Sequence, residues 1–250
     1  NEKKRFKKLK KFELSYSQFK SLKKIANKFG LFFISTPFDL ESANFLSKNS
    51  DIIKIASSDN NFFKLIEVVL KSKKPVILST GLTNIDEIKS IVLLAKKILK
   101  SRFNKNFALL HCVSAYPVEP KYANLNSIKF LKEKFKCIIG YSDHTIGNEA
   151  SLVAISMGAK IIEKHFTIDK KYSSFRDHQL SADFIDLKNI VESSRKIELM
   201  MGKENKILQK NEFKNIKEFR RSIVSNKNLK KGEKLLEQDI KYLRPANGLA

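Results

Sequence analysis

At 250 residues the chain is long enough to bury a sizeable core in one or two domains. With 42% hydrophobic and 30% charged residues it reads as a soluble globular protein. No apolar run reaches the roughly 18 residues of a membrane helix and no secretory signal opens the chain, so no membrane partner is expected. The formal charge is +23, yet only seven of the 49 basic residues are Arg, and Lys is spread along the chain outside one N-terminal cluster, "NEKKRFKKLKK". Nucleic-acid binders concentrate basic residues on one surface, so nucleic acid is disfavoured as a partner; attraction of an anionic ligand accounts for the charge equally well. Two cysteines are too few for a disulfide framework.

In chain order, "ELSYSQFKSLKKIANKFG" predicts a helix. Ser15 and Gln18 form its capping box, Phe19, Leu22, Ile25 and Phe29 share one face, and Gly30 ends it. The strand "LFFIST" (31–36) follows, then a helix near 39–48, the strand "DIIKIAS" (51–57), a helix near 60–72 and the strand "PVILST" (75–80). A helix over 84–100 leads to "FALLHC" (107–112), one near 124–135 to "CIIGYS" (137–142), and one near 148–157 to "AKIIEKHF" (159–166). The last helix is expected at about 182–200. Residues 201–217 are polar and read as a linker, after which short strand-like pieces and turn signals suggest the start of a second, small domain.

These strands are near-continuous apolar runs separated by amphipathic helices, the pattern of parallel strands covered by helices. Six such units do not close the eight-stranded (β/α)8 TIM barrel, and because the first residue is Asn rather than Met, two units are expected upstream. A doubly wound sheet is the alternative, but no glycine-rich dinucleotide fingerprint follows any strand. Cys112 closes one strand and Cys137 opens the next. In parallel strands roughly 20 Å long they lie too far apart for a bridge, which needs Cα atoms within about 7 Å. Both read as reduced thiols of a cytoplasmic protein.

In such barrels the active site lies at the C-terminal ends of the strands. Those ends carry Ser35-Thr36, Lys54 with Ser57, Ser79-Thr80, His111-Cys112, Ser142-Asp143-His144, and Glu163 with His165. Hydroxyls with a lysine suit a phosphate or carboxylate, and two imidazoles near a carboxylate suit a divalent metal. By strand alternation Ile161, Glu163 and His165 share a face, as do Ile52, Lys54 and Ala56. Plainer roles stand beside these. A lone histidine at a strand end is ordinarily just hydrogen-bonded, although two on consecutive strands beside carboxylates fit that account poorly. Ser57 and Ser79 sit where helix caps also occur. Tyr116 in "SAYPVEP" can pack under a proline turn, Asp177 can be a loop residue, and His178 beside it has no evident role.

"STPFD" (35–39), "KIAS" (54–57), "ILSTG" (77–81), "LLHCVSAYP" (109–117), "GYSDHTIG" (140–147) and "EKHFTID" (163–169) occur in one order along the chain. In that order they resemble the sialic acid synthase family, whose members condense phosphoenolpyruvate with an N-acetylhexosamine. The terminal "RRSIV…KKGE…RPANG" resembles the start of that family's antifreeze-like (SAF) domain. The resemblance implies an α/β TIM barrel over 1–204, a linker over 205–217 and an incomplete antifreeze-like domain over 218–250. It implies that His144 and His165 bind a divalent metal, usually Mn2+ with Mg2+ or Co2+ as alternatives, acting as a Lewis acid on the sugar aldehyde. Lys54, Ser57, Ser79, Ser142, Thr36 and Ser114 would hold the phosphate and carboxylate of phosphoenolpyruvate, while Tyr116 and Asp177 would contact the sugar. Glu163 would serve in proton transfer or hydroxyl contact. Arg244 matches an arginine supplied by the partner subunit, which implies a domain-swapped homodimer.

This chain departs from the family in two places. The upstream segment, where relatives carry a glutamate base and further lysine and glutamine contacts, is not in these 250 residues, so the chain by itself is expected to be inactive. In "SSFRDHQLS" relatives often have Gly-Pro before the aspartate, which leaves N-acetylmannosamine and the legionaminic and pseudaminic precursors as acceptors, with "DHQLS" leaning to the first two. Another phosphoenolpyruvate-using barrel synthase is the alternative enzyme, and a basic nucleic-acid-binding protein the alternative outside enzymes.

Overall fold

The structure is a computed structural model that describes residues 2–173 and 177–249, apart from the side chain of Arg5. Two units are distinguished, residues 1–201 and 202–250.

The first unit opens with helices α1 (Glu2–Lys10) and α2 (Tyr16–Lys28) and then alternates strand and helix. Its strands are β1 (Ile34–Ser35), β2 (Ile52–Ile55), β3 (Val76–Ser79), β4 (Phe107–Cys112), β5 (Ile138–Asp143) and β6 (Ile162–Lys164). Between and after them lie α3 (Leu40–Asn49), α4 (Phe63–Lys71), α5 (Ile85–Leu99), the single turn α6 (Phe103–Asn106), α7 (Asn126–Phe135), α8 (Glu149–Ser156) and α9 (Phe184–Met201). The strands form one sheet in the order β1-β2-β3-β4-β5-β6, every pair parallel.

That order decides between the two architectures the sequence allows. A doubly wound sheet reverses its order at a switch point and so places helices on both faces. Strands laid down in strict sequence with right-handed crossovers place every helix on one side and leave the other to curl on itself. The curl is measurable. Lys54 on β2 and Glu163 on β6 are four strands apart, which in a flat sheet means roughly 19 Å at the usual strand spacing. Their Nζ and Oε1 atoms lie 3.2 Å apart. The unit is a six-stranded arc of a parallel barrel.

Burial follows from this shape. Between strands and helices, Ile53, Ile55, Leu78, Leu109 and Tyr141 pack against Leu65, Ile66, Ile91 and Leu131. On the concave face a smaller cluster of Ile77, Ala108 and Leu110 packs with Ile52, Ile138 and Ile161. Strands covered on both faces need apolar residues at successive positions, which is why β4 reads "FALLHC" and is buried throughout. The helices obey local rules: Asn84 and Glu87 close a capping box on α5, which buries Ile88, Ile91, Val92, Ala95 and Leu99 on one stripe.

The expected capping box of Ser15 and Gln18 is present on α2, but the helix buries none of its residues, and Phe29 is 72% exposed. It precedes β1, the edge strand, where pairing covers only two residues instead of the six expected. Gly140, within β5, has no room for a side chain: a Cβ there would lie 2.5 Å from the carbonyl oxygen of Ile161 and 2.5 Å from Leu110 Cδ2. That carbonyl accepts the N–H of Tyr141 in the β5–β6 pairing. Gly140→Ala is therefore expected to lower unfolding free energy by about 3 kcal/mol in urea titration, the upper range for overpacking against backbone.

The second unit holds helix α10 (Phe213–Phe219) and an antiparallel pair, β7 (Ser222–Ser225) with β8 (Ile240–Leu243). The stretch expected as a plain linker thus contains a helix. Gln209 and Glu212 cap the single 3-10 turn that leads into it, and Phe213, Ile216 and Phe219 are spaced for helix rather than coil. Among the described residues no helix is long and apolar enough to cross a membrane.

Candidate active site

At the C-terminal ends of the six strands lies a cavity of about 570 Å³. Its lining comes from every strand end: Thr36 after β1, Lys54 and Ser57, Ser79, Cys112 with Ser114 and Tyr116, Ser142 and His144, and Glu163 with His165. Alternation explains the selection, because every second side chain of a strand faces the concave side. His111, one residue before Cys112, faces the other way. Its Nε2 lies 2.8 Å from the carbonyl of Ala123 and its ring stacks on Tyr141.

One wall is built for an anion. Lys54 is 7% exposed, and its ammonium reaches the same Glu163 oxygen, Oε1, that accepts from Ser142 Oγ at 2.7 Å. Neither Ser57 nor Ser79 caps a helix: the cap of α5 is Asn84, and Ser57 Oγ accepts the N–H of Gly81 at 3.1 Å. Asn60 holds this turn by donating to the carbonyls of Ser79 and Gly81. The hydroxyls of Ser79 and Ser114 are buried with no hydrogen-bond partner among the described residues. An unpaired buried hydroxyl is costly in a folded core, and two that face one cavity beside a lysine are donors waiting for an acceptor.

The other wall carries the two histidines, with ring centroids 5.3 Å apart. His144 Nδ1 lies 2.9 Å from the carbonyl of Val113, which fixes that nitrogen as the N–H donor and leaves the Nε2 lone pair free. His165 Nδ1 lies 3.6 Å from Asp177 Oδ2. Burial, then the neighbouring His144, hold the His165 pKa down, which favours the neutral ligating form. For His144 burial acts downward, but hydrogen bonding to Cys112 and to Val113 outweighs it and the net shift is upward. Tyr116 lies over both rings, 4.2 Å from His144 and 5.9 Å from His165 between centroids, rather than packing only under its proline. Among the described residues no group of three or more His, Cys, Asp or Glu is placed to hold a metal ion. The donor set fits a divalent ion held by two imidazoles with its other positions left to water or substrate oxygen.

Ten residues singled out from sequence thus share one cavity, and Asp177 adjoins it through His165. Arg244 lies in the second unit, exposed, just after β8. Ser174, Phe175 and Arg176, part of the divergent loop, lie outside the described residues. His178 hydrogen-bonds Thr167 Oγ1 at 2.8 Å. Cys112, collected with His111 among the strand ends but given no role there, also lines the cavity; its Sγ is 3.5 Å from Ser57 Oγ and 3.9 Å from His144 Nδ1. Strand alternation held the signal, since within the pair His111-Cys112 only one residue can face inward.

An arc of a parallel α/β barrel with anion donors and paired imidazoles at its C-terminal mouth defines a class of barrel enzyme that acts on small polar substrates. The chain belongs to the NeuB family, whose sequence model matches residues 1–206. A protein of Methanocaldococcus jannaschii without an assigned activity is 46% identical over 241 residues, covering 96% of this chain and 70% of that protein. An N,N'-diacetyllegionaminic acid synthase of Campylobacter jejuni is 40% identical over 242 residues, covering 96% of this chain and 71% of that protein. Among solved structures, an N-acetylneuraminic acid synthetase from Leptospira borgpetersenii, crystallised with citrate, superposes with a TM-score of 0.75 at 37% identity, covering 82% of this chain and 70% of that one.

Proposed function

We propose that this protein condenses phosphoenolpyruvate with an N-acetylhexosamine, N-acetylmannosamine or the precursor of legionaminic acid, to give a nine-carbon 2-keto sugar acid and phosphate. The observation that carries this reading is the pair of unpartnered buried hydroxyls, Ser79 and Ser114, beside Lys54 in a cavity whose facing wall holds two imidazoles. Phosphoenolpyruvate bears a phosphate and a carboxylate, the groups that hydroxyls and an ammonium recognise. Lys54, Ser57, Ser79, Ser114, Ser142 and Thr36 would hold it, while Tyr116 and Asp177 would orient the open-chain sugar.

His144 and His165 would hold a divalent metal, Mn2+ by preference, which when bound supplies Lewis acidity for an aldehyde oxygen. With both substrates held, the methylene carbon of phosphoenolpyruvate attacks the aldehyde carbon: a C–C bond forms as the C=O π pair moves onto the aldehyde oxygen, which takes up a proton to become a hydroxyl. Positive character develops at the phosphate-bearing carbon, water adds there, and the C–O bond to phosphate breaks, leaving the ketone. Lys54 and the hydroxyls would stay on the phosphate throughout, and Glu163, which pairs with Lys54 and accepts from Ser142, would take a proton from the entering water. Positioning two polar reactants supplies much of the rate. The resemblance of the C-terminal segment to an antifreeze-like domain extends the proposal to a domain-swapped homodimer in which Arg244 contacts the acyl group.

The test incubates the protein with phosphoenolpyruvate, Mn2+ and each candidate hexosamine, following phosphate release and product mass. A nine-carbon acid from one sugar, abolished by chelation, is the expected result. Phosphate without that acid would point to another acceptor. No turnover with any sugar by a folded, metal-bound protein would overturn the synthase reading.

A further inference from the structure

Behind the cavity wall, on the helix side of the sheet, Asp143 and Lys164 form an ion pair whose side chains are 0% and 4% exposed. Their neighbours Ser142, His144, Glu163 and His165 line the cavity, so by alternation this pair faces the helices. Lys164 Nζ donates to Asp143 Oδ2 at 3.0 Å and to the carbonyl of Thr145 at 2.8 Å. The same carboxylate accepts from Ser151 Oγ on α8 at 2.7 Å, and through Oδ1 from the N–H and the hydroxyl of Thr145, both at 2.8 Å.

A buried, fully bonded ion pair gives little net stability over apolar side chains of the same shape, so its use must be sought in geometry. The ladder between β5 and β6 ends at the register pair Asp143 and Lys164. His144 and His165 are the next residue on each strand, just where strand pairing stops. Thr145, on the far side of His144, has its N–H held by Asp143 and its carbonyl by Lys164. The peptide that follows His144 is thereby held by Asp143, and the carbonyl of Thr145 beyond it by Lys164, the residue that precedes His165.

We propose that Asp143 and Lys164 are a positioning pair that sets the separation and orientation of His144 and His165 from behind the sheet, without touching substrate. This inference rests on the reading of the two histidines as metal ligands. Outer contacts that orient metal ligands change metal affinity when removed, typically by about ten- to a hundredfold.

Two double variants test it: Asp143→Asn with Lys164→Met, and Asp143→Asn with Lys164→Gln. Both remove the two charges together, so no lone buried charge is left to unfold the protein, and the second keeps a neutral hydrogen bond should the first not fold. Thermal unfolding is measured beside the binding of Mn2+ alone, read from the spin-resonance signal of the free ion, with the unaltered protein in parallel. The expected result is a folded variant with its melting temperature near that of the parent and a Kd for Mn2+ raised roughly ten- to a hundredfold. A folded double variant that binds Mn2+ within about twofold of the parent overturns the inference alone, since the parent's own binding then stands. A parent protein that binds no Mn2+ overturns the ligand reading and this inference together.

Discussion

His144→Ala is expected to abolish stoichiometric Mn2+ binding and to lower kcat by at least about a thousandfold, equivalent to about 4 kcal/mol of transition-state stabilisation. The size follows from the donor count. Only two imidazoles meet at this wall of the cavity, and among the described residues no third His, Cys, Asp or Glu completes a cluster. Removing one leaves a single protein ligand. The carbonyl of Val113 loses the Nδ1–H it accepts, so the fold is expected to lose about 1–3 kcal/mol, the cost of an acceptor left unsatisfied at a buried place. His111→Gln serves as the comparison. That histidine is as buried as His144 but bonds to Ala123 away from the cavity, so its variant should keep metal and turnover. Equal losses in both variants, or neither, would remove the metal assignment.

The second large effect is expected at Gly81. A Cβ at this position would lie 2.3 Å from Ser114 Oγ and 2.7 Å from Ser57 Oγ. Both atoms are the free ends of small side chains, so Gly81→Ala should fold with its hydroxyls rotated out of the anion wall. Losing one such hydrogen bond to a charged group removes about 1.5–3 kcal/mol, so KM for phosphoenolpyruvate should rise roughly tenfold to a hundredfold. The acceptor sugar, proposed to bind on the histidine side, should keep its KM. Steady-state kinetics with each substrate varied in turn makes the separation. A rise in both, or in the sugar's alone, would place the phosphoenolpyruvate elsewhere in the cavity.

Much of this was legible before any coordinates. Apolar runs of strand length between helices with a 3.6-residue stripe define six βα units, because these periodicities record which side of each element is covered. The cap at Ser15 is a local contact over three residues, readable from spacing alone. The strand-end residues could be collected from sequence because the C-terminal mouth is where a parallel barrel concentrates its chemistry. The family resemblance, carried by six motifs in one order, accords with the match of the NeuB family over residues 1–206.

Other features depended on which elements meet. Alternation says that His111 and Cys112 face opposite sides, yet only the packing of Tyr141 and Ala123 against His111 decides that the thiol takes the inward place. The stripe on α2 reads as a buried face, but burial needs enough neighbours, and beside the two-residue edge strand β1 the contacts of Phe19 with the rings of Phe33 and Phe45 leave none of the helix's residues buried. Asp143 and Lys164 stand in two separate motifs, and the two residues meet only through the register of β5 on β6. The sequence alone determined the βα alternation, the strand ends and the kinds of side chain gathered there, all set by contacts within a few residues. Tertiary structure alone decided that Lys54 and Glu163, four strands apart, form an ion pair, because the curvature of the sheet is the sum of many small twists that no single segment encodes.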